Sequence, residues 1–100
     1  MLKFEKYHGI GNDFIIFREE EVEGLDYSEL AMKVCHRNFG IGADGMMVAA
    51  KSEKADIRMI FYNADGSEAP MCGNGVRCFS HFVRNNELVE KDLISVETLA

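Results

Sequence analysis

A cysteine followed by two closely spaced glycines is the feature of this sequence best suited to chemistry. Cys72 precedes Gly73-Asn74-Gly75, and the apolar residues that follow recur at helical spacing. The sequence therefore predicts that Cys72 lies just before a helix start, where unpaired N–H groups and the helix dipole lower the pKa of a thiol. The same N–H groups can hold a carboxylate. We predict an activated thiol beside an anion-binding site.

The other two cysteines, Cys35 and Cys78, are predicted to be inert. Each falls on the apolar face of a predicted helix, where cysteine behaves as a small apolar side chain. Three cysteines are an odd number, and the polar N-terminal segment lacks the apolar core of a signal peptide. These features favour free thiols in a reducing compartment, so a cytoplasmic protein is expected.

Two asparagines at predicted strand ends are candidates for binding a polar ligand. Asn12 lies in a glycine-containing loop between two predicted strands, and Asn63 opens the dense turn signal of residues 63–67. A side-chain amide donates and accepts hydrogen bonds at once, which suits a ligand with both an ammonium and a carboxylate group. Taken alone, however, each spacing favours ordinary turn chemistry.

Other ligand classes fit the sequence less well. Residues 40–45 match G-x-G-x-x-G, but they close a predicted helix and lead into a strand, the reverse of the dinucleotide-binding context. The cysteine and histidine spacings match no usual zinc site, so neither a metal nor another cofactor is predicted. A net charge of −6 without a basic stripe argues against nucleic acid. No apolar run approaches the ~20 residues of a membrane span.

Short strands and two helices must position these residues. Strands are predicted over residues 4–7, 14–17, 46–50, 57–62 and 93–99. The first helix is predicted to start at an Asp26 cap and to stop by Gly40. Its apolar face comprises Leu30, Ala31, Val34 and Cys35.

The second predicted helix follows Gly73, and its apolar residues spread over more than one stripe, which is typical of a helix buried in a core. The predicted fold class is α+β, with a curved, mainly antiparallel sheet and one helix buried against or inside it. The last strand has neither a closing turn nor a partner before residue 100, so we expect a truncated domain.

Four segments of the chain together resemble the diaminopimelate epimerase family. They are residues 8–14, 37–45, 63–68 and 72–75, which follow the family's order and separations over nearly the whole chain. The resemblance implies a two-lobed protein in which each lobe wraps a curved sheet around a helix and the active site lies between the lobes. Residues 1–100 would be the N-terminal lobe, ending before its last strands.

The resemblance also implies an activity, the cofactor-independent interconversion of LL-2,6- and meso-2,6-diaminopimelate in lysine and peptidoglycan precursor biosynthesis. Cys72 would be one of two catalytic acid/base thiols, and Asn12, Asn63, Gly73 and Asn74 would bind the amino-acid substrate. The second thiol would come from the missing lobe, so this chain alone is expected to be inactive. The family is commonly homodimeric. Some members have Gln at the position of Gly45, and that substrate contact must be absent here or made by another group.

Two other functions stay open. One is a related racemase, independent of pyridoxal phosphate, that acts on another amino acid, and the other is a catalytically silent binding lobe. Proline racemase relatives tend to carry His after Cys-Gly, where this sequence has Asn74. A second Cys-Gly motif beyond residue 100 would argue against a silent lobe.

Overall fold

Five strands form one mixed sheet with a helix on each face. The computed structural model describes residues 2–9, 11–70 and 73–99. The strands are β1 (Glu5–His8), β2 (Asp13–Arg18), β3 (Gly45–Ala50), β4 (Ile57–Asn63) and β5 (Val96–Glu97), and they lie in the sheet in chain order. A 3-10 turn at Glu19–Glu21 and helix α1 (Tyr27–Val34) connect β2 to β3, and helix α2 (Gly73–Asn85) lies between β4 and β5.

The predicted α+β class is confirmed, but the sheet is more mixed than predicted. The pairs β1–β2 and β3–β4 are antiparallel, whereas β2–β3 and β4–β5 are parallel. Each parallel pair is joined by a connection containing one helix, because neighbouring parallel strands need such a crossover. The sheet stays open, with β1 and β5 at its edges.

Strands β2 and β3 are buried on both faces of the sheet, which explains their uninterrupted apolar sequences. Ile15 and Phe17 of β2 pack on the side of α1, together with Met46 and Val48 of β3. The alternate residues of the same strands pack on the side of α2, against Phe79 and Phe82. These strand residues are Phe14, Ile16, Met47 and Ala49.

Helix α1 begins as its sequence predicts. The Asp26 carboxylate accepts a hydrogen bond of 3.1 Å from the backbone N–H of Glu29, which caps the helix. Ala31 and Cys35 are buried on its inner face. The helix ends at Val34, whose carbonyl oxygen accepts hydrogen bonds of 2.9 Å from the N–H groups of both Ile41 and Gly42. The loop of residues 35–44 therefore folds back tightly on the helix end.

Helix α2 buries one face in the described structure, rather than most of its circumference. The buried residues follow a single helical stripe, Gly75, Cys78, Phe79, Phe82 and Val83. Arg77, His81 and Arg84 are exposed on the opposite side. The apolar residues therefore form one stripe with partly buried Val76 at its border, so α2 lies on the sheet as an amphipathic helix.

The last strand is shorter than predicted and is held by a carboxylate. Only Val96–Glu97 pairs with β4, although Ile94 and Val96 pack on the core as the alternation predicts. Asp56 accepts hydrogen bonds from Ser95 N–H and Oγ at 3.0 and 3.1 Å, and its other oxygen lies 2.7 Å from Lys91 Nζ. We call this arrangement the Asp56 clamp.

The Asp56 clamp should make stability depend on pH in the acid range. The hydrogen bonds from Lys91 and Ser95 lower the pKa of Asp56 from 3.8 to about 2. A lowered pKa in the folded state means that the clamp stabilises the fold above about pH 4 and that this stabilisation is lost as the pH falls towards 2.

We therefore expect an Asp56→Asn full-length protein to unfold at a lower temperature than the parent at neutral pH, with the difference vanishing near pH 2. Thermal melts across this range measure it. Glu53→Gln, at an exposed carboxylate nearby, is the control. A difference between Asp56→Asn and parent that does not change with pH would contradict the assignment.

Candidate active site

Strand register brings the predicted binding residues to one end of the sheet. His8 pairs with Asp13, Phe14 with Gly45, and Gly45 with Asn63. We call this end, where β1 and β4 finish and β2 and β3 start, the site edge. Asn63 is two strand spacings, about 10 Å, from Phe14. Asn12, two residues before Phe14, and Asn63 therefore lie on the same edge.

The start of α2 reaches the same edge through Gly9. A Cβ atom on Gly9 would lie only 3.0 Å from Asn74 Cβ, so the loop after β1 packs directly against the first turn of α2. The Gly9 N–H also donates a hydrogen bond of 2.7 Å to the carbonyl oxygen of Asn12. Gly73 has open space around its Cα among the residues that the structure describes, since a Cβ there would meet none of their atoms within 4 Å. The loop of Asn12 and the helix start that carries Gly73 and Asn74 are therefore neighbours.

The two asparagine side chains are oriented by neighbouring oxygens. Asn12 Nδ2 donates to Asp44 Oδ2 at 3.4 Å. Asn63 Nδ2 donates to Ser67 Oγ at 3.1 Å, and that hydroxyl donates in turn to Asp65 Oδ1 at 2.6 Å. A side-chain amide has two N–H donors and one acceptor oxygen, more than these bonds use. These bonds therefore orient both amides and occupy one N–H donor of each.

The structure describes two of the three cysteines. Cys72 lies outside the described residues, and the described part of α2 begins with the next residue in the sequence, Gly73. Cys35 and Cys78 are buried, each 3% exposed. Burial, reinforced by the negative charge of Asp13, raises the pKa of Cys35 to about 11, so this thiol is protonated at neutral pH. Both buried cysteines are placed as the sequence predicts for inert thiols.

Sequence reasoning missed an ionic network at the site edge. Arg37 Nη2 lies 3.1 Å from both Asp13 Oδ1 and Asp44 Oδ1, and Lys6 Nζ lies 3.4 Å from Asp13 Oδ2. Partial burial acts to raise the pKa of Asp13, but hydrogen bonds from Arg37 and Asp44 outweigh it and hold that pKa well below its usual range. This network could have been predicted only from the parallel pairing of β2 with β3, which places Asp13 beside Asp44.

The glycine-rich segment 40–45 connects α1 to β3, as the sequence context predicts. Its first three N–H groups donate hydrogen bonds within the chain. The Gly40 N–H donates to the His36 carbonyl oxygen at 2.8 Å, and the N–H groups of the next two residues donate to the Val34 carbonyl oxygen. Gly42 has a φ of +88°, which favours glycine. These N–H groups close the helix end and are not arranged around an open phosphate site.

The surroundings of Gly45 bear on the position where some family members carry Gln. A Cβ atom on Gly45 would lie 2.7 Å from Phe61 Cε1 and 3.4 Å from Phe14 Cδ1. The rings of Phe14 and Phe61 pack edge to face with centroids 5.7 Å apart and are buried. In this chain, a side chain at position 45 would meet the Phe61 ring and, at 3.2 Å, the backbone carbonyl oxygen of Tyr62.

We expect Gly45→Gln in the full-length protein to lower the free energy of unfolding by about 1–3 kcal/mol, the usual cost of overpacking. Phe61→Leu should relieve part of that cost, because it removes the ring atom in the way. Chemical denaturation of both single variants and the double variant measures the coupling. Additive effects of the two substitutions would show that Phe61 is not what excludes the larger residue.

The described part of the chain has neither a metal cluster nor a membrane-spanning helix. Residues 2–9, 11–70 and 73–99 contain no group of three or more side chains placed to hold a metal ion. Within the same ranges, neither helix has the length and apolar character needed to cross a bilayer.

Comparison with known structures defines the class of fold. A crystal structure of the Bacillus anthracis phenazine biosynthesis protein, of the PhzF family, aligns with a TM-score of 0.70 and 23% identity, covering 95% of this chain and 31% of that one. A sequence model of the family described as diaminopimelate epimerase matches residues 4–100. The chain belongs to the diaminopimelate epimerase family, and the resemblance drawn from its four segments is confirmed.

Individual relatives are similar over nearly the whole chain. The chain is 59% identical over 99 residues to the diaminopimelate epimerase of Caldanaerobacter subterraneus subsp. tengcongensis. It is 53% identical over 100 residues to that of Alkaliphilus metalliredigens. Each match covers 99% of this chain but 35% of the relative, so the chain spans about a third of the length of these proteins.

Proposed function

We propose that this chain is the N-terminal lobe of a cofactor-independent diaminopimelate epimerase, which interconverts LL-2,6- and meso-2,6-diaminopimelate. The observation that carries the proposal is the family match across residues 4–100, with 59% identity to a relative of that name. The complete enzyme would serve lysine and peptidoglycan precursor biosynthesis in the cytoplasm as a homodimer. A second lobe would supply the other half of the active site, so the 100-residue chain alone would be inactive.

The proposed chemistry needs two proton-transfer groups on opposite sides of one carbon. Inverting a stereocentre removes the α-proton from one face and adds a proton to the other, so one group must be ionised while the other is protonated. Thiols suit both roles because their pKa can be brought near neutrality. We assign Cys72 as the proton donor from LL- to meso-diaminopimelate, with a thiol of the second lobe as acceptor, and the roles exchange in reverse.

Substrate binding is assigned to the site edge. Gly73 and Asn74, in the first turn of α2, would present backbone N–H groups to the substrate carboxylate, where they also stabilise the charge of the carbanion-like intermediate. The open space at Gly73 lets a ligand approach that backbone closely. Asn12 and Asn63, oriented by Asp44 and Ser67, would add side-chain hydrogen bonds. Water excluded between the lobes would strengthen each of these interactions.

The test is an assay of the full-length protein in D₂O against LL-diaminopimelate and a panel of other amino acids. We expect meso-diaminopimelate to form with deuterium at one α-carbon, without added pyridoxal phosphate or metal. Inversion of a different amino acid instead would identify a related racemase. Binding without any α-proton exchange would identify a silent binding lobe, and either result would overturn the proposal.

A further inference from the structure

The network at the site edge contains two carboxylates that each accept a hydrogen bond from the backbone N–H of the other residue. Asp13 and Asp44 exchange hydrogen bonds: Asp44 N–H donates to Asp13 Oδ1, and Asp13 N–H donates to Asp44 Oδ2, each at 3.0 Å. Asp44 N–H is also 3.0 Å from the Asp13 carbonyl oxygen. Two carboxylates that share one guanidinium group repel each other, and the cations beside them offset that repulsion.

Arg37 is the cation that contacts both carboxylates. Its Nη2 lies 3.1 Å from one oxygen of each, whereas Lys6 contacts only Asp13, at 3.4 Å. The planar guanidinium group is suited to bridging two carboxylates, which an ammonium group does less well. Gly42 packs against the Arg37 backbone and stem, since a Cβ there would lie 3.3 Å from Arg37 Cα. The turn after α1 therefore fixes the Arg37 backbone and the start of its side chain, and the two carboxylates hold its guanidinium group.

The same carboxylates hold the loop that carries Asn12. Asp44 Oδ2 accepts from the Asn12 side chain at 3.4 Å and from Asp13 N–H at 3.0 Å. The Asn12 carbonyl oxygen accepts from Gly9 N–H, and Gly9 lies against Asn74 at the start of α2. A continuous series of contacts thus runs from the Asp13–Asp44 pair to the proposed carboxylate site.

We infer that Arg37 is a positioning residue: by bridging Asp13 and Asp44, it holds Asn12 and the Gly9 loop in register with the start of α2. The inference rests on the proposed function in assigning Asn12 to substrate binding. Arg37 itself touches no substrate. The alternative is an exposed ion pair without functional effect, which is common when a cation is as exposed as the Arg37 side chain, at 58%.

Replacement of Arg37 in the full-length enzyme tests the inference. We expect Arg37→Ala to lower kcat/KM by about tenfold to a hundredfold, since small misplacements of binding groups cost this much. KM should rise more than kcat falls, because Asn12 binds substrate and transfers no proton. Arg37→Lys and added guanidinium, at concentrations that do not denature the parent, should each restore part of the loss. Arg58→Ala, at an exposed arginine away from the site edge, should match the parent.

A second readout separates this inference from the proposed function. The parent's activity on LL-diaminopimelate is measured first, and an inactive parent refutes the function alone. NMR then decides the inference: in Arg37→Ala, the amide signals of Gly9, Asn12 and Asn74 should shift and return with guanidinium. Unchanged signals, or a parent-like kcat/KM in an active enzyme, would overturn it. If Arg37→Ala does not fold, Asp44→Asn is used instead, because this substitution removes the ion pair with Arg37 without changing the size of the side chain. Unchanged amide signals of Gly9 and Asn74, or an unchanged KM, would then overturn the inference.

Discussion

Cys72→Ala in the full-length enzyme is expected to abolish epimerisation. The substitution removes the group proposed to protonate one face of the α-carbon, and a positioned acid or base contributes about a hundredfold to ten-thousandfold to rate. Because two thiols must act in one turnover, the remaining thiol cannot complete the inversion. The measurement is deuterium wash-in at the α-carbon together with the rate of meso-diaminopimelate formation.

Two matched variants make the result specific to Cys72. Cys35→Ala removes a buried thiol whose pKa is raised to about 11, so turnover should be kept even if some stability is lost. Cys72→Ser keeps a small polar side chain at this position and should still bind substrate, which calorimetry measures. Epimerisation at the parental rate by Cys72→Ala would refute the assignment of this thiol.

Gly40→Ala is expected to destabilise the fold more than alanine at any other loop glycine that the structure describes. A Cβ atom at position 40 would overlap the carbonyl oxygen of Lys33 and come within 2.9 Å of that of Val34. These are backbone atoms of the α1 end, which cannot rotate away as a side chain could. We expect a loss of about 3 kcal/mol or more in the free energy of unfolding, at the upper end of overpacking effects.

The matched control for Gly40→Ala is Gly24→Ala in the full-length protein. Gly24 has a φ of +82° and open space around it, so alanine there should cost only about 1–2 kcal/mol of backbone strain. Chemical denaturation of both variants gives the comparison. The Gly40 variant should also disturb the turn that carries Arg37, lowering activity along with stability. Equal losses at the two positions would show that the loop after α1 can relax.

Several parts of the fold follow from local sequence patterns. The Asp26 cap, the apolar face of α1 and the buried runs of β2 and β3 depend on residues near one another in the chain, so propensity and periodicity predict them. Prediction fails for the ends of elements. The strand expected over residues 93–99 pairs only at Val96–Glu97, because Ser95 and Lys91 bind Asp56 and the backbone before β5 follows that clamp.

The sheet's pairing depends on contacts that no local pattern contains. An apolar run has the same sequence whether its neighbouring strand is parallel or antiparallel. The sequence therefore predicts a mainly antiparallel sheet, whereas two of the described strand pairs are parallel. The parallel pairing of β2 with β3 places Asp13 beside Asp44 and so creates the network with Arg37. Residues separated by about thirty positions become neighbours only through that pairing.

The sequence by itself determined the family, the candidate thiol and the candidate binding residues, because the four segments carry them in fixed order. Tertiary structure alone decided that Gly9 lies against Asn74, that Phe61 occupies the space beside Gly45, and that Arg37 joins two carboxylates at the site edge. The physical reason is that residue type and spacing specify chemistry and local conformation. Distances between side chains on different strands and helices are set by packing of the whole core.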